Sequence, residues 1–137
     1  MRITLVISSL GGGGAERVVT NMANYWAARG RATTVLTVSH GPRPPAYELH
    51  PQVVHRDVGF SPVSYQPVPD TGELRKLLEV YHTCSQAEQS VFLSDLNLIA
   101  ALRHALAATR PDVVLSFMDI TNIRVLLAAH GRAKVDA

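Results

Sequence analysis

With 137 residues, 47% of them hydrophobic and 18% charged, the chain has room for one domain with a buried core. It lacks the charge-rich, apolar-poor composition of a disordered polymer. Thirteen Lys and Arg against eleven Asp and Glu leave a formal charge of +2, and the basic residues are scattered from Arg2 to Lys134, which argues against nucleic acid as a partner. The single cysteine, Cys84, has no internal disulfide partner, and no Cys/His group has metal-ligand spacing, so neither a metal nor a cofactor is expected and a reducing cytoplasm is the simplest home.

The first apolar run, Ile3 to Leu10, is far short of the ~20 residues of a spanning helix and stops at four glycines, 11 to 14. Its β-branched, nearly continuous apolar character predicts a parallel strand covered on both faces, over 2–8. From Ala15 to Arg29 the period changes: Val18, Val19, Met22, Ala23 and Trp26 keep the i, i+3, i+4 spacing of an amphipathic helix that Gly30 stops. Trp26 is expected in the core. A second strand over 32–38 completes a βαβ unit.

The stretch from Gly41 to Glu73 holds seven of the eight prolines and reads as loop, interrupted by a third strand over 53–58. A short helix is expected over 74–81 and a longer one over 91–109, capped by Ser90 or Ser94, with Phe92, Leu96, Ile99, Leu102 and Leu106 on its apolar face. DVVLSFM, 112–118, is the next buried strand, and 120–130 a last helix closed by Gly131. The alternation predicts a doubly wound, Rossmann-like α/β sheet. Its site is expected at the carboxyl ends of the strands, at Ser9 to Glu16 and Phe117 to Asn122.

Four glycines between strand and helix let the backbone approach a ligand and aim free amides at an anion, though such a turn also simply packs a helix on a strand. A P-loop would open the helix with Gly-Lys-Ser/Thr, where Ala15, Glu16 and Arg17 stand. A dinucleotide fingerprint would require glycine at 16 or 17 and an acidic residue ending the second strand, where Glu16, Arg17 and Ser39 stand. Both readings are disfavoured. Cys84 beside His82 has no triad context and is taken as an incidental thiol.

LVISSLGGGGAERVVTNMANYWAARG resembles the opening of glycosyltransferase family 4, in which a Gly-Gly-Ala-Glu loop, an Arg and a helix follow the first strand. RPDVVLSFMDITNIRVLLAA is similar to a strand and helix later in the same domain. The two motifs cover roughly a third of the chain, in the family's order. The resemblance implies the acceptor-side, amino-terminal domain of a two-domain GT-B fold, incomplete and without its donor-binding half. It implies a retaining transfer from a nucleotide-sugar donor to a carbohydrate or lipid-linked acceptor, without a metal ion, in polysaccharide or glycan synthesis.

By the same resemblance Gly12, Gly13, Gly14 and Ala15 face the donor diphosphate and Glu16 supports the loop. Asp119 stands where a polar group, often His, faces the reacting sugar, or else it caps the last helix. His40, Arg43 and Tyr47, with Thr121 and Asn122, are the candidates for the acceptor cleft. Peripheral attachment at the inner face of a membrane is compatible with this reading. Two other readings stand beside it: a non-catalytic module binding an acceptor or partner, and an unrelated small nucleotide-binding α/β protein. The strand over 112–118 is expected to lack an outer neighbour, because too few residues follow Gly131, and its bare edge predicts self-association.

Overall fold

The computed structural model describes residues 1–59, 71–129 and 134–136, giving the backbone alone at 71–74 and 134–136. Its elements are β1 (Arg2–Ile7), α1 (Gly14–Ala28), β2 (Ala32–Thr37), β3 (Val54–Asp57), α2 (Thr71–Thr83), α3 (Gln86–Ser94), α4 (Leu96–Thr109), β4 (Val113–Ser116), α5 (Asp119–Ala129) and β5 (Lys134–Asp136). The strands form one parallel sheet of order β3-β2-β1-β4-β5. With helices on both faces, this is a Rossmann-like α/β architecture.

Alternation along the central strand explains the two faces. Ile3, Leu5 and Ile7 point to one side, where Val35 joins them and α1 covers them with Val19 and Ala23. Val6, Val114 and Leu36 point to the other, under Leu77 and Val80 of α2, Phe92 of α3, Leu98, Ile99 and Leu102 of α4, and Val125 and Ala128 of α5. β1 is therefore apolar at nearly every position, as a strand buried on both faces must be. Trp26 packs against the α1-side core, while Val18, expected on that face, is 49% exposed.

α1 ends in a Schellman motif: Gly30 takes φ +74°, its amide donates to the Ala27 carbonyl and the Arg31 amide to that of Trp26. α4 ends less comfortably, on Arg110 at φ 45°, a left-handed conformation that costs a side-chain-bearing residue about 1 kcal/mol. Arg110→Gly is accordingly expected to raise the melting temperature by roughly 3 °C in a thermal scan. A fall would show that contacts of the Arg110 side chain outweigh the relieved strain.

Three expectations are corrected. The helix expected over 91–109 is two helices, α3 and α4, bent by 87°. The cap is neither Ser90 nor Ser94 but Ser85, whose hydroxyl accepts from the Glu88 amide while the Glu88 carboxylate accepts from the Ser85 amide. Ser94 instead donates back to the Ser90 carbonyl, and Asp95 at the bend is held by Arg124 of α5 at 2.7 Å. The outer side of β4 is also not bare, since β5 pairs with it, Val114 beside Val135. α5 is itself the crossover, so the residues after it need supply only a three-residue strand. The self-association argued from that edge loses its ground. The expected loop over 60–70 and the helix stop at His130 and Gly131 lie outside the described residues.

Candidate functional site

The strand order places the topological switch between β1 and β4. After Ile7 the chain turns to α1 on one face, and after Ser116 it turns to α5 on the other. The two turns part above neighbouring strand ends, where the Phe117 amide still donates to the Val6 carbonyl at 3.1 Å. In open α/β sheets this divergence makes the ligand crevice. Ser9–Glu16 and Phe117–Asn122, the two segments expected at the site, follow these two strand ends.

Gly13 is the N-cap of α1, extended at φ −86° and ψ 173°, and has no side chain with which to cap. The first helical amides have no partner inside the helix, so they form its electropositive end. The Glu16 carboxylate folds back onto Gly13, and a Cβ there would run into it. The other loop glycines are less constrained. None of Gly11 to Gly14 has a positive φ; a Cβ at Gly11 would make an ordinary 3.7 Å contact with Ser9 Oγ, and one at Gly12 or Gly14 would meet nothing within 4 Å. The turn therefore does not need glycine at 11, 12 or 14 for its backbone conformation.

The loop after β2 braces the glycine loop. The Leu10 amide donates to His40 Nδ1 at 3.1 Å, and the Leu10 carbonyl accepts from the Ala46 amide at 2.9 Å. The Tyr47 hydroxyl donates to the Gly12 carbonyl at 3.2 Å, with the Arg17 guanidinium 5.9 Å from the Tyr47 ring. Asn24 of α1 ties down the same segment by donating to the Glu48 carbonyl and accepting from the His50 amide. His40, placed by resemblance in an acceptor cleft, is only 7% exposed, and its Nε2 donates to the Arg43 carbonyl at 2.8 Å. No ring nitrogen is left for a ligand. Arg43 joins this contact through its backbone, and its side chain is exposed.

Sequence reading missed the group behind this brace. Asp57, the last residue of β3, accepts from Thr37 Oγ1 at 2.7 Å, from the His40 and Gly41 amides at 2.8 and 3.1 Å, and from the Gly59 amide. Burial alone would push its carboxyl up, but these donors outweigh it and hold the group below the usual carboxylate range. His55 lies beside it, 3.0 Å from Thr37 Oγ1 through Nε2, its ring 5.3 Å from that of His40. Its basicity is lowered by burial and then by His40, against the opposite pull of Asp57. The signal in the sequence was an Asp closing a parallel strand, two residues before Gly59.

At the other strand end Asp119 is exposed, opens α5 and makes no hydrogen bond among the described residues, so its side chain is not a cap. Its charge still suits the helix N-terminus. Thr121 is fully buried, and Thr121 Oγ1, Asn122 Oδ1 and Ser116 Oγ are buried polar atoms without a hydrogen-bond partner among the described residues. Met118 between strand and helix stands at φ 77° and is 57% exposed. The structure thus brings the glycine loop and the Asp119 turn to adjacent strand ends, while His40 belongs to the loop's support.

Cys84 donates to the Val80 carbonyl, and burial followed by Glu88 pushes its thiol up, away from a reactive thiolate. Among the described residues no three His, Cys, Asp or Glu side chains gather as a metal site, and no single helix is long and apolar enough to cross a membrane. The chain matches no protein-family model and has no significant match among curated proteins.

Proposed function

We propose that this chain is a ligand-binding Rossmann-like domain whose glycine loop receives a phosphate-bearing ligand, of the nucleotide or nucleotide-sugar class, at the switch between β1 and β4. The observation that carries this reading is a run of glycines that the fold does not require. Gly11, Gly12 and Gly14 have neither a positive φ nor a neighbour that a Cβ would strike, yet each costs conformational entropy on folding. Bare backbone beside a helix N-terminus, facing a strand-end crevice, suits the close approach of an anion.

The finer reading is the acceptor-side half of a retaining glycosyltransferase. It is supported by the Gly-Gly-Ala-Glu-Arg motif at 13–17 and by the polar turn at Asp119 at the neighbouring strand end. Binding by this chain alone is expected to be weak. Glu16 already sets a carboxylate against the loop, and most of the electrostatic stabilisation of a leaving diphosphate would come from a partner domain.

The test is a titration of the ¹⁵N-labelled chain with pyrophosphate, UDP, GDP and their glucose and mannose conjugates. Amide shifts centred on Gly11 to Ala15 are expected, with a dissociation constant of about 1 mM or weaker. Shifts with the nucleotides but not with pyrophosphate would place recognition in the base or sugar. Shifts confined to other segments, or none at all, would overturn the proposal. Micromolar affinity would show that this domain holds a complete site and would count against the half-site reading.

A further inference from the structure

The two nitrogens of the buried His40 ring have opposite partners. A backbone amide can only donate and a carbonyl can only accept, so Nδ1, facing the Leu10 amide, must carry a lone pair, and Nε2, facing the Arg43 carbonyl, must carry the proton. Only the neutral Nε2–H tautomer satisfies both contacts. Leu10 is the last core residue before the glycines, 1% exposed, with its carbonyl engaged by the Ala46 amide. Its amide has no water to turn to when the imidazole stops accepting.

We infer that His40 is a proton-operated latch on the glycine loop: neutral, it fixes the loop through the Leu10 amide, and protonated at Nδ1 it releases it. This holds whatever the loop binds, so it stands or falls apart from the function proposed above.

The surrounding groups make the latch specific to the ring. Asp57 accepts from the backbone amides of His40 and Gly41, which delivers the ring to Leu10 without itself bonding the imidazole. The Thr37 hydroxyl has one proton, which it gives to Asp57 Oδ1, so towards His55 it accepts, and His55 carries its proton on Nε2. Among the described residues, the titratable groups that meet His40 are thus His55 and Asp57 from β3, while Arg43 of its own loop meets it through the backbone carbonyl, its side chain exposed. Burial and then His40, its ring 5.3 Å away, disfavour a positive charge on His55, while the Asp57 carboxylate favours it.

Imidazole ¹⁵N spectra and backbone amide exchange, recorded on the same sample from about pH 8 to pH 5, test this directly. At the upper end His40 is expected as the Nε2–H tautomer. On acidification the Leu10 amide should lose protection by about fivefold or more, after correction for the intrinsic exchange rate, in step with protonation of His40. His40→Asn supplies an oxygen near the place of Nδ1 that cannot take up a proton, so its Leu10 amide should stay protected over the whole range. An Nδ1–H tautomer in the native chain would overturn the inference. So would a Leu10 amide that stays protected while His40 becomes charged. Both are read on the unmodified protein, so the test survives if the variant fails to fold.

Discussion

Asp57→Ala is expected to lower the free energy of unfolding by about 2 kcal/mol at neutral pH, the largest stability effect anticipated for a residue near the site. The carboxylate gathers the Thr37 hydroxyl and the amides of His40, Gly41 and Gly59. Its loss leaves those donors to whatever water can reach them. Hydrogen bonds to a charged acceptor are worth ~1.5–3 kcal/mol each when buried, but Asp57 itself is largely exposed, and solvent screening keeps the total near the value of one.

The pH dependence has a definite sign. The carboxyl of Asp57 is held below its usual range in the folded state, so its contribution is complete above the unfolded value of ~3.9 and disappears as the pH falls through the lower, folded one. His55 is also depressed, by burial first and then by His40, and its contribution is lost in a separate step as the pH falls from ~6.5 through its folded value. Urea denaturation of the native chain and of Asp57→Ala should therefore show a difference that widens slightly as the pH falls from ~6.5, because the alanine also removes the carboxylate that favours a charged His55, and that disappears only as the pH falls from ~3.9 through the lower, folded value of Asp57. A difference that persists undiminished into acid would mean that the alanine acts by disturbing packing.

The second large effect is expected on binding. Gly12→Val should weaken the phosphate-bearing ligand at least tenfold, about 1.4 kcal/mol, and change stability by less than about 0.5 kcal/mol. A Cβ at 12 enters open space on the side where the ligand is proposed to approach, so the folded chain tolerates the side chain and the ligand does not. Gly13→Val is a poorer probe, because its side chain runs into the Glu16 carboxylate and mixes a structural effect with a binding one. The measurement is the nucleotide titration above repeated on Gly12→Val, with a denaturation curve alongside. Equal losses of stability and affinity would show that the glycines serve the turn alone, and unchanged affinity would remove the loop from the site.

Much of the fold can be read from local pattern. β1 and β2 stand within a residue or two of expectation because a strand covered on both faces has no choice but to be apolar, and α1 because Gly30 ends it by taking a conformation other residues avoid. The break between α3 and α4 escapes the same reading: apolar spacing runs on through the bend, where Asp95 meets Arg124, 29 residues away. The Ser85 and Glu88 capping box was visible in the sequence and carried the correct start of α3.

For the candidate site, local pattern was enough to place the glycine loop, since a strand, four glycines and an amphipathic helix in succession leave the turn at a strand's carboxyl end. It did not determine what the polar residues around that turn do. His40 resembled a ligand contact, and only the folded chain, by setting the Leu10 amide and the Arg43 carbonyl on its two nitrogens, made it part of the scaffold. Asp57 carried only the faint signal of an Asp closing a strand until β3 paired with β2 and brought its carboxylate to the amides at 40 and 41. The physical reason is the same for both. A strand or helix is dictated by neighbours a few residues away, whereas the role of a polar side chain is set by whichever donors and acceptors the sheet and its loops place beside it, the Leu10 amide 30 residues from His40 and the Gly41 amide 16 residues from Asp57.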